Sequence, residues 1–398
     1  MGKKTVRFLA FDNGREDWRE QEEKKLWETF STEVIAARRD KPSALADIDT
    51  KIITKIQERL TDWITTGSFG WDSEYSSLYK KKRDINQKPE VQDYRRKMHN
   101  VKAGRQQAWI DHLMDEAINF FEKGLEKYNN YGEDDIFVLM LPEFFWTDIV
   151  DNIELYNIAG QYKEISGYVS PLYDNSYEKL ISTAEENKLV QWMKNQNRNI
   201  IFFAGTAVHK AIDQDPMEEK IYNTLLIFSS IQVKPGDREV QISTWNKVNY
   251  SPIDGFSING CVVREKIPYE EWEEVIGKGK NALTIPVINY ADLAFSFDIC
   301  LDYDAKDDSS VSKEKLGAQR ADFNILIAGG MPIMSGDISN KSAIHTVRCD
   351  KVCFAETCCS VRIDGRYDVM KDIGDARIRY ADFEVAIEGN TKTITMLK

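Results

Sequence analysis

No stretch of this sequence is long and apolar enough to cross a membrane. A transmembrane helix needs about 20 consecutive apolar residues, and no run among the 398 residues approaches that length. The N-terminus, Met1 to Val6, leads into a predicted strand without the hydrophobic region of a signal peptide. Val6 also stands where a myristoylation signal has Ser or Thr. We therefore predict a cytoplasmic protein without a membrane partner.

The cysteines show neither a secreted disulfide framework nor the spacing of a metal site. There are six of them, and Cys358 and Cys359 are adjacent. Cys349 and Cys353 lack the paired spacing of zinc ligands, and Cys261 lies in a predicted loop. Without a regular framework, reduced thiols in the cytosol are the default. We expect no disulfide and no metal.

Positive charge is scarce relative to negative charge. The chain has 53 Lys and Arg residues against 65 Asp and Glu residues, which gives a net charge of −12. A nucleic-acid interface depends on basic side chains that neutralise phosphates, so a nucleic-acid partner is not expected. The basic clusters at 80–83 and 95–97 are interpreted first as solvated faces. Residues 277–280 lack the spacing and the Ser or Thr of a phosphate-binding loop.

The hydrophobic pattern predicts an α/β fold in which helices cover sheet faces. Hydrophobic residues make up 42% of the chain, which is ample for a large core. The predicted strands are 5–11, 135–141, 200–208, 222–229, 240–245, 282–287, 291–299, 323–328, 354–362, 383–387 and 392–396. The predicted helices are 16–39, 43–65, 109–128, 177–195, 312–320 and 341–350.

Residues 13–107 interrupt the regular alternation of strands and helices. We therefore predict a first strand of the main domain at 1–12, a helical and loop insertion at 13–107, and the remainder of the main domain at 108–398. Pro42 separates two helices within the insertion, and Ser43 can cap the second. Residues 66–107 are rich in Gly, Ser, Lys and Asp and are predicted as loop with short helices.

Three residues that can take part in covalent catalysis each lie at the end of a predicted strand. They are Glu143, Lys247 and Cys300, in that chain order. A sharp turn after a strand exposes its central side chain at the sheet edge, where nucleophiles often lie. Attack of a thiolate on an amide or nitrile carbon needs a base to take the proton and a cation to stabilise the oxyanion. A carboxylate, an ammonium and a thiol supply all three.

These motifs resemble those of the nitrilase, or carbon–nitrogen hydrolase, superfamily. Pro142-Glu143 is similar to its strand-end Pro-Glu, Asn246-Lys247 to its lysine motif, and the run from Ile299 to Asp302 to its Ile-Cys-aromatic-acid motif. Gly205-Thr206, Tyr222-Asn223-Thr224 and residues 321–332 supply supporting segments in the same order. The resemblance covers residues 3–12 and about 108–390, and it leaves out 13–107.

The resemblance implies a four-layer α-β-β-α sandwich that pairs into a homodimer or a larger homo-oligomer. It implies hydrolysis of an amide or carbamoyl group of a small molecule through a thioester, with Cys300 as nucleophile and Glu143 as general base and acid. Lys247 and the backbone N–H of Leu301 would stabilise the oxyanion. The mechanism needs no cofactor. A second, lysine-orienting glutamate is common in the family, and the candidates are Glu265, Glu270 and Glu271.

Three positions depart from the family pattern. Leu301 replaces the aromatic residue that often follows the cysteine, Asn246 replaces an Arg, and Asp298 replaces a small apolar residue. These changes leave the three catalytic positions intact and leave the substrate open. Leu301-Asp302 also stands where nitrile-hydrolysing members have Trp-Glu, which makes an amide or carbamoyl group the expected target.

Other interpretations stay open. The same thioester could transfer its acyl group to an amine, or the chain could be a non-catalytic scaffold that binds partners through residues 13–107. Taken singly, Cys300 could be a buried small hydrophobe, Glu143 a carboxylate at a helix N-terminus, and Lys247 the end of a surface hairpin. His209 and His345 are interpreted as structural, because the carboxylate and the lysine already supply a base and a cation.

The predicted insertion carries more apolar residues than two isolated, solvated helices would show. These are Trp18, Leu26, Trp27, Phe30, Ile52, Ile53, Ile56, Leu60 and Trp63. We predict that deleting residues 13–107 changes either the substrate range or the oligomeric mass, measured with an amide panel and by light scattering. A truncated protein that matches its parent in both would instead leave the insertion as a site for an outside partner.

Overall fold

A computed structural model describes most of the chain. The described residues are 2–12, 36–37, 39–66, 73–146, 172, 174–210, 221–234, 236–249, 272–273, 275–304, 310–329, 343, 345–354, 357–363, 366–373, 377–389 and 391–397. Contacts divide the chain into two compact units, of which the first comprises Met1–Trp18 with Ile110–Lys398 and the second Arg19–Trp109. The predicted insertion, 13–107, overlaps the second unit, and its predicted helix 16–39 lies largely outside the described residues.

The second unit is helical. It contains α1 (Ser43–Thr66), α2 (Ser73–Asn86) and the first part of α3 (Pro89–Glu126). Leu45, Ile48 and Ile52 lie at helical spacing on α1 and form a small buried cluster with Val91 of α3. Within the described residues, no helix is long and apolar enough to cross a membrane.

The prediction of loop with short helices at 66–107 was wrong. Most of this stretch belongs to α2 and α3, and α3 continues to Glu126. The Lys, Arg, Glu and Gln residues that suggested a solvated loop are also good helix formers. Pro89 begins α3 without breaking it, because a missing N–H costs nothing in the first turn.

The first unit contains two mixed β-sheets with helices, so the predicted α/β class is confirmed. The strands are β1 (Gly2–Phe11), β2 (Ile136–Leu141), β3 (Asn199–Lys210), β4 (Ile221–Lys234), β5 (Asp237–Asn246), β6 (Val287–Tyr290), β7 (Leu293–Ile299), β8 (Phe323–Ala328), β9 (His345–Phe354), β10 (Thr357–Ile363), β11 (Arg366–Val369), β12 (Lys371–Asp372), β13 (Ile378–Glu388) and β14 (Thr391–Met396). Among the described residues, the first sheet has eight strands, in the order β12-β13-β1-β2-β3-β4-β5 with β14 paired to β13, and the second has six, in the order β11-β10-β9-β8-β7-β6. The helices of this unit are the end of α3, α4 (Asp174–Leu180), α5 (Lys188–Asn195), a 3₁₀ helix (Cys300–Asp304) and α6 (Val311–Leu316).

The two sheets pack face to face through one apolar core. Alternate residues of each strand point to the same face, and the inward sets of β1, β2 and β3 join those of β7, β8 and β9 in a single buried cluster. The Phe8 and Phe323 rings lie 5.1 Å apart across the two sheets, and Trp245 and Phe297 lie 5.9 Å apart. This packing fixes the position of one sheet relative to the other.

The outer face of the first sheet is covered by the C-terminal part of α3. The Phe120 ring lies 4.7 Å from that of Phe11 on β1, and the Phe121 ring lies 5.2 Å from that of Phe202 on β3. Apolar residues therefore line both faces of the central strands β1, β2 and β3. This explains why β2, with all six residues buried, reads as a continuous apolar run rather than an alternating one.

The predicted helix at 341–350 was wrong, because this segment contributes to strand β9. β9 pairs in parallel with β8 and antiparallel with β10. Val347 and Cys349 face the core, while Arg348 and Asp350 form a buried ion pair on the other face. Val347 and Cys349 alternate with the charged Arg348 and Asp350, which is the two-residue period of a strand, and the helix prediction overlooked this short signal.

Phe323 lies at the centre of the core between the sheets, in contact with the rings of Phe8, Phe295 and Phe383. We expect Phe323→Ala to lower the free energy of unfolding by about 3–5 kcal/mol, since it leaves a cavity in a packed core. Urea denaturation measures the change. Val233→Ala is the control, because that side chain is 48% exposed and its loss should cost under about 0.5 kcal/mol. Equal losses would contradict this view of the core.

Candidate active site

Glu143 follows β2 and is completely buried, with 0% of its side chain exposed. Its backbone N–H donates to the carbonyl oxygen of Ala328 at the end of β8, at 3.2 Å. Its Oε1 accepts hydrogen bonds from Lys247 Nζ at 2.7 Å and from Asn223 Nδ2 at 2.8 Å. Charge-assisted bonds of this length are strong, so the carboxylate is held in one orientation.

Lys247 follows β5 and is also completely buried. Its backbone N–H donates to the carbonyl oxygen of Asn223 on β4, at 2.8 Å, which continues the pairing of the two strands by one residue. Its ammonium forms the ion pair with Glu143 and lies 5.8 Å from the centre of the Phe144 ring. β4 therefore supplies both the side chain that orients Glu143 and the backbone that holds Lys247.

Two glycines allow the backbone to approach this pair closely. A Cβ atom on Gly329 would lie 3.0 Å from Glu143 Oε2 and 3.2 Å from the Phe144 ring. Gly205 has φ +70°, and a Cβ atom there would lie 2.3 Å from the carbonyl oxygen of Pro142. Any side chain at Gly205 would collide with the turn that carries Glu143, so glycine is required.

Phe144 adopts φ +61°, a left-handed conformation that is uncommon for a bulky residue. Its N–H donates to Thr206 Oγ1 at 2.8 Å, and the N–H of Trp146 donates to the carbonyl oxygen of Thr206 at 3.3 Å. These bonds hold the strained turn after Glu143. Strain of this kind is kept where the surrounding structure over-determines it, often at functional sites.

Cys300 directly follows β7 and is the first residue of the 3₁₀ helix, with φ +48°. It is the second non-glycine residue at this site in a left-handed conformation, and the residue is partly exposed. Cys349 and Cys359, in contrast, are buried in the core, and burial together with the neighbouring Cys359 raises the pKa of the Cys349 thiol. A thiol at a partly exposed turn has the accessibility that a nucleophile needs.

The strand register brings the segments of Glu143, Lys247 and Cys300 to the same end of the two sheets, where β2, β5 and β7 end. Ile299, the residue before Cys300, pairs with Ile327 on β8. The next residue of β8, Ala328, accepts the N–H of Glu143. Cys300 and Glu143 thus flank the carboxyl end of β8, while the ion pair joins Glu143 to Lys247 directly.

Asp302 is a buried carboxylate two residues after Cys300. It accepts hydrogen bonds from the N–H of Val248, from the N–H of Asn249 at 2.8 Å and from Asn249 Nδ2 at 3.0 Å. Burial raises the pKa of Asp302 to about 7, against the hydrogen bonds of Val248 and Asn249 and the positive charge of Lys247, and the negative charge of Asp298 adds to the rise.

Asn246, one of the residues that depart from the nitrilase pattern, forms hydrogen bonds within the first unit. Asn246 Nδ2 donates to the carbonyl oxygens of Val275 and Lys278, each at 3.0 Å, and its Oδ1 accepts from Thr224 Oγ1 at 2.7 Å. His209 Nε2 lies 2.9 Å from the same Thr224 oxygen. Because Thr224 donates its proton to Asn246, His209 is the donor in that contact.

Asp298 lies on the face of the second sheet away from the core. Its carboxylate accepts from the N–H of Ser312 at 2.9 Å, from Ser312 Oγ at 2.6 Å and from Asn324 Nδ2 at 2.8 Å. It therefore anchors the first turn of α6 to β7 and β8. A buried polar network accounts for this unusual residue beside the cysteine.

Glu265, Glu270, Glu271 and Cys261 lie outside the described residues, so a lysine-orienting glutamate stays a prediction. The backbone of Leu301 lies in the first turn of the 3₁₀ helix, where N–H groups have no acceptor within the helix. His345 contacts the rings of Phe323 and Phe383 in the core. Sequence reasoning missed the contribution of Asn223, although the Tyr222-Asn223-Thr224 motif pointed to its strand.

Neither a protein-family model nor a curated protein matches this chain. Among solved structures, the chain is similar to a CN-hydrolase superfamily protein from Xanthomonas campestris, whose crystal structure has an arsenic adduct in the active site. The two are 11% identical, with a TM-score of 0.31, and the match covers 71% of this chain and 84% of that chain. A likeness of this size does not assign the chain to a family.

The raised pKa of Asp302 predicts a pH-dependent stability. Its ordinary pKa is 3.8 and its folded value is about 7, so the folded protein binds the proton more tightly. The stability that this group contributes is therefore full at low pH and falls as pH rises from about 4 to about 7. Asp302→Asn cannot ionise, so its free energy of unfolding should rise relative to the parent between about pH 5 and pH 8. Urea denaturation across this range tests it, and a constant difference would contradict it.

Proposed function

We propose that this protein hydrolyses carbon–nitrogen bonds, acting on an amide or carbamoyl group of a small molecule through a thioester on Cys300. The main observation in support of the proposal is the fully buried ion pair of Glu143 and Lys247 at 2.7 Å. This pair lies at the end of the sheets where β7 ends and Cys300 follows.

A structural role explains this ion pair poorly. Removing two charges from water costs free energy that apolar residues of similar volume avoid, so a buried pair is weak evidence for stability. Buried charges with specific partners cluster at functional sites instead. Here the pair is further ordered by Asn223, and Gly329 leaves space for Glu143. Several interactions thus hold this one carboxylate and this one ammonium in place.

The proposed reaction proceeds in two stages. Glu143 takes the thiol proton of Cys300, and the sulfur attacks the carbonyl carbon while Lys247 and the backbone N–H of Leu301 stabilise the oxyanion. Glu143 returns the proton to the nitrogen as the carbon–nitrogen bond breaks, which releases the amine or ammonia. Glu143 then takes a proton from water, whose oxygen attacks the thioester, and the proton returns to the sulfur as the acid leaves.

We propose that the fold is the four-layer α-β-β-α sandwich. The two packed sheets supply the central layers, α3 covers the outer face of the first sheet, and α6 is anchored to the outer face of the second through Asp298. We also propose that the protein is cytoplasmic and forms a homo-oligomer, which size-exclusion chromatography with light scattering can measure.

The test uses a panel of small amides and carbamoyl compounds and the intact mass of the protein. We expect an acyl adduct on Cys300, no turnover in Cys300→Ala, and a fall in kcat of about 10² to 10⁴-fold in Glu143→Gln, the range for general acid–base catalysis. Circular dichroism checks that each variant is folded. Cys359→Ala, which removes a buried thiol elsewhere, is the matched control and should keep its turnover.

Near-normal hydrolysis in Cys300→Ala would show that the thiol is not the nucleophile. Absence of any adduct across the panel would favour the scaffold interpretation instead. An adduct on Cys300 that is released faster by an added amine than by water, with a new amide as product, would replace hydrolysis with acyl transfer.

A further inference from the structure

Asp302 accepts hydrogen bonds from three donor groups of one short segment, residues 248 and 249. It is fully buried, and an ionised carboxylate in that position is costly unless donors surround it. Oδ1 accepts from the N–H and the Nδ2 of Asn249, and both oxygens lie within 3.2 Å of the Val248 N–H. All of these groups are donors, an arrangement that suits the ionised form.

These donors belong to the two residues that follow Lys247. The N–H of Lys247 itself is held by the carbonyl oxygen of Asn223 on β4. The segment 247–249 is therefore fixed on one side by strand pairing and on the other by Asp302. Because the direction of the backbone at 247 and 248 sets where the lysine side chain points, both contacts determine the position of the ammonium.

Asp302 also connects the two sheets. It lies in the 3₁₀ helix that follows β7 of the second sheet, and its partners follow β5 of the first. Only one residue separates it from Cys300. The bond thus joins the turn of the proposed nucleophile to the segment of the proposed oxyanion-stabilising lysine.

We propose that Asp302 is a positioning residue, which holds the Lys247 segment against the Cys300 turn and so sets the place of the ammonium relative to the sulfur. The inference rests on the proposed function. Asp302 acts through Lys247 and the Cys300 turn, and takes no proton from the substrate.

Asp298 provides the internal comparison. It is equally buried, lies two residues before Cys300 as Asp302 lies two after it, and also accepts three hydrogen bonds or more. The donors shown for Asp298, however, are Ser312 on α6 and Asn324 on β8, which belong to the second sheet and to the helix packed on it. Asp298→Asn therefore disturbs a buried carboxylate near Cys300 without touching the Lys247 segment.

The test measures alkylation of Cys300 by iodoacetamide in the full-length protein between about pH 6 and pH 10, followed by the mass of the Cys300 peptide. The rate follows the fraction of thiolate, which a nearby ammonium increases. In Asp302→Asn the amide group faces N–H donors, so the Lys247 segment loosens. We expect the midpoint of the profile to shift upward by on the order of one pH unit, and kcat to fall about 10- to 100-fold on misplacement of the ammonium.

Asp298→Asn removes a negative charge near the thiol without removing a donor of the Lys247 segment, so it should lose stability in urea and leave the midpoint of the alkylation profile unchanged or slightly lower. A folded Asp302→Asn protein whose midpoint is no higher than that of Asp298→Asn would overturn the positioning role. If Asp302→Asn does not fold, Asn249→Ala decides, because it removes one donor from the same contact and leaves the carboxylate in place. Its profile should shift in the same direction by a smaller amount, and an unchanged profile would overturn the proposal.

The two proposals fail separately. The alkylation profile needs no substrate, whereas the acyl adduct on Cys300 in the parent does. A shifted profile in Asp302→Asn together with an adduct in the parent supports both. An unshifted profile with an adduct in the parent removes the positioning role and leaves the hydrolase, and a shifted profile without any adduct in the parent keeps the placement of the ammonium by Asp302 and removes the hydrolase.

Discussion

The rest of the site depends on the burial of one ion pair. Glu143 and Lys247 are both withdrawn from water, and neither charge is tolerable there without the other. Their contact at 2.7 Å therefore requires that the ends of β2 and β5, which β3 and β4 separate in the first sheet, lie close to the same point. Asn223 on the intervening β4 donates a hydrogen bond to Glu143, and the lack of a side chain at Gly329 leaves room for the Glu143 carboxylate.

The packing of the two sheets fixes the strand ends that bring Glu143 and Lys247 together. A rigid core joins the inward faces of both sheets, so the positions of the strand ends are set by many apolar contacts rather than by the polar groups themselves. The polar groups then need only short connections from fixed strand ends. The left-handed residues Phe144 and Cys300 lie in such connections, shortly after the ends of β2 and β7, and hydrogen bonds to Thr206 hold the turn at Phe144.

The sequence predicted a good part of this arrangement. The segments before Glu143, Lys247 and Cys300 are strands in the structure, as predicted. β2 and β7 are almost wholly buried and leave a nearly continuous hydrophobic signal, whereas β5 is partly exposed and mixes polar with apolar residues. The prediction failed at β9, where Arg348 and Asp350 alternate with the core residues Val347 and Cys349 and this short strand period was taken for a helix. It failed again at α2 and α3, where good helix formers in a polar stretch resemble loop composition.

The sequence by itself determined which residue types follow which strands, since hydrophobic periodicity and turn chemistry are local properties. Only the tertiary structure decided that Asn223 orients Glu143 and that Asp302 binds the segment after Lys247. Those partners are separated by 80 and by 54 positions along the chain, and no local pattern encodes a contact over such a distance. Strand order and register, which follow from packing of the whole core, bring them together.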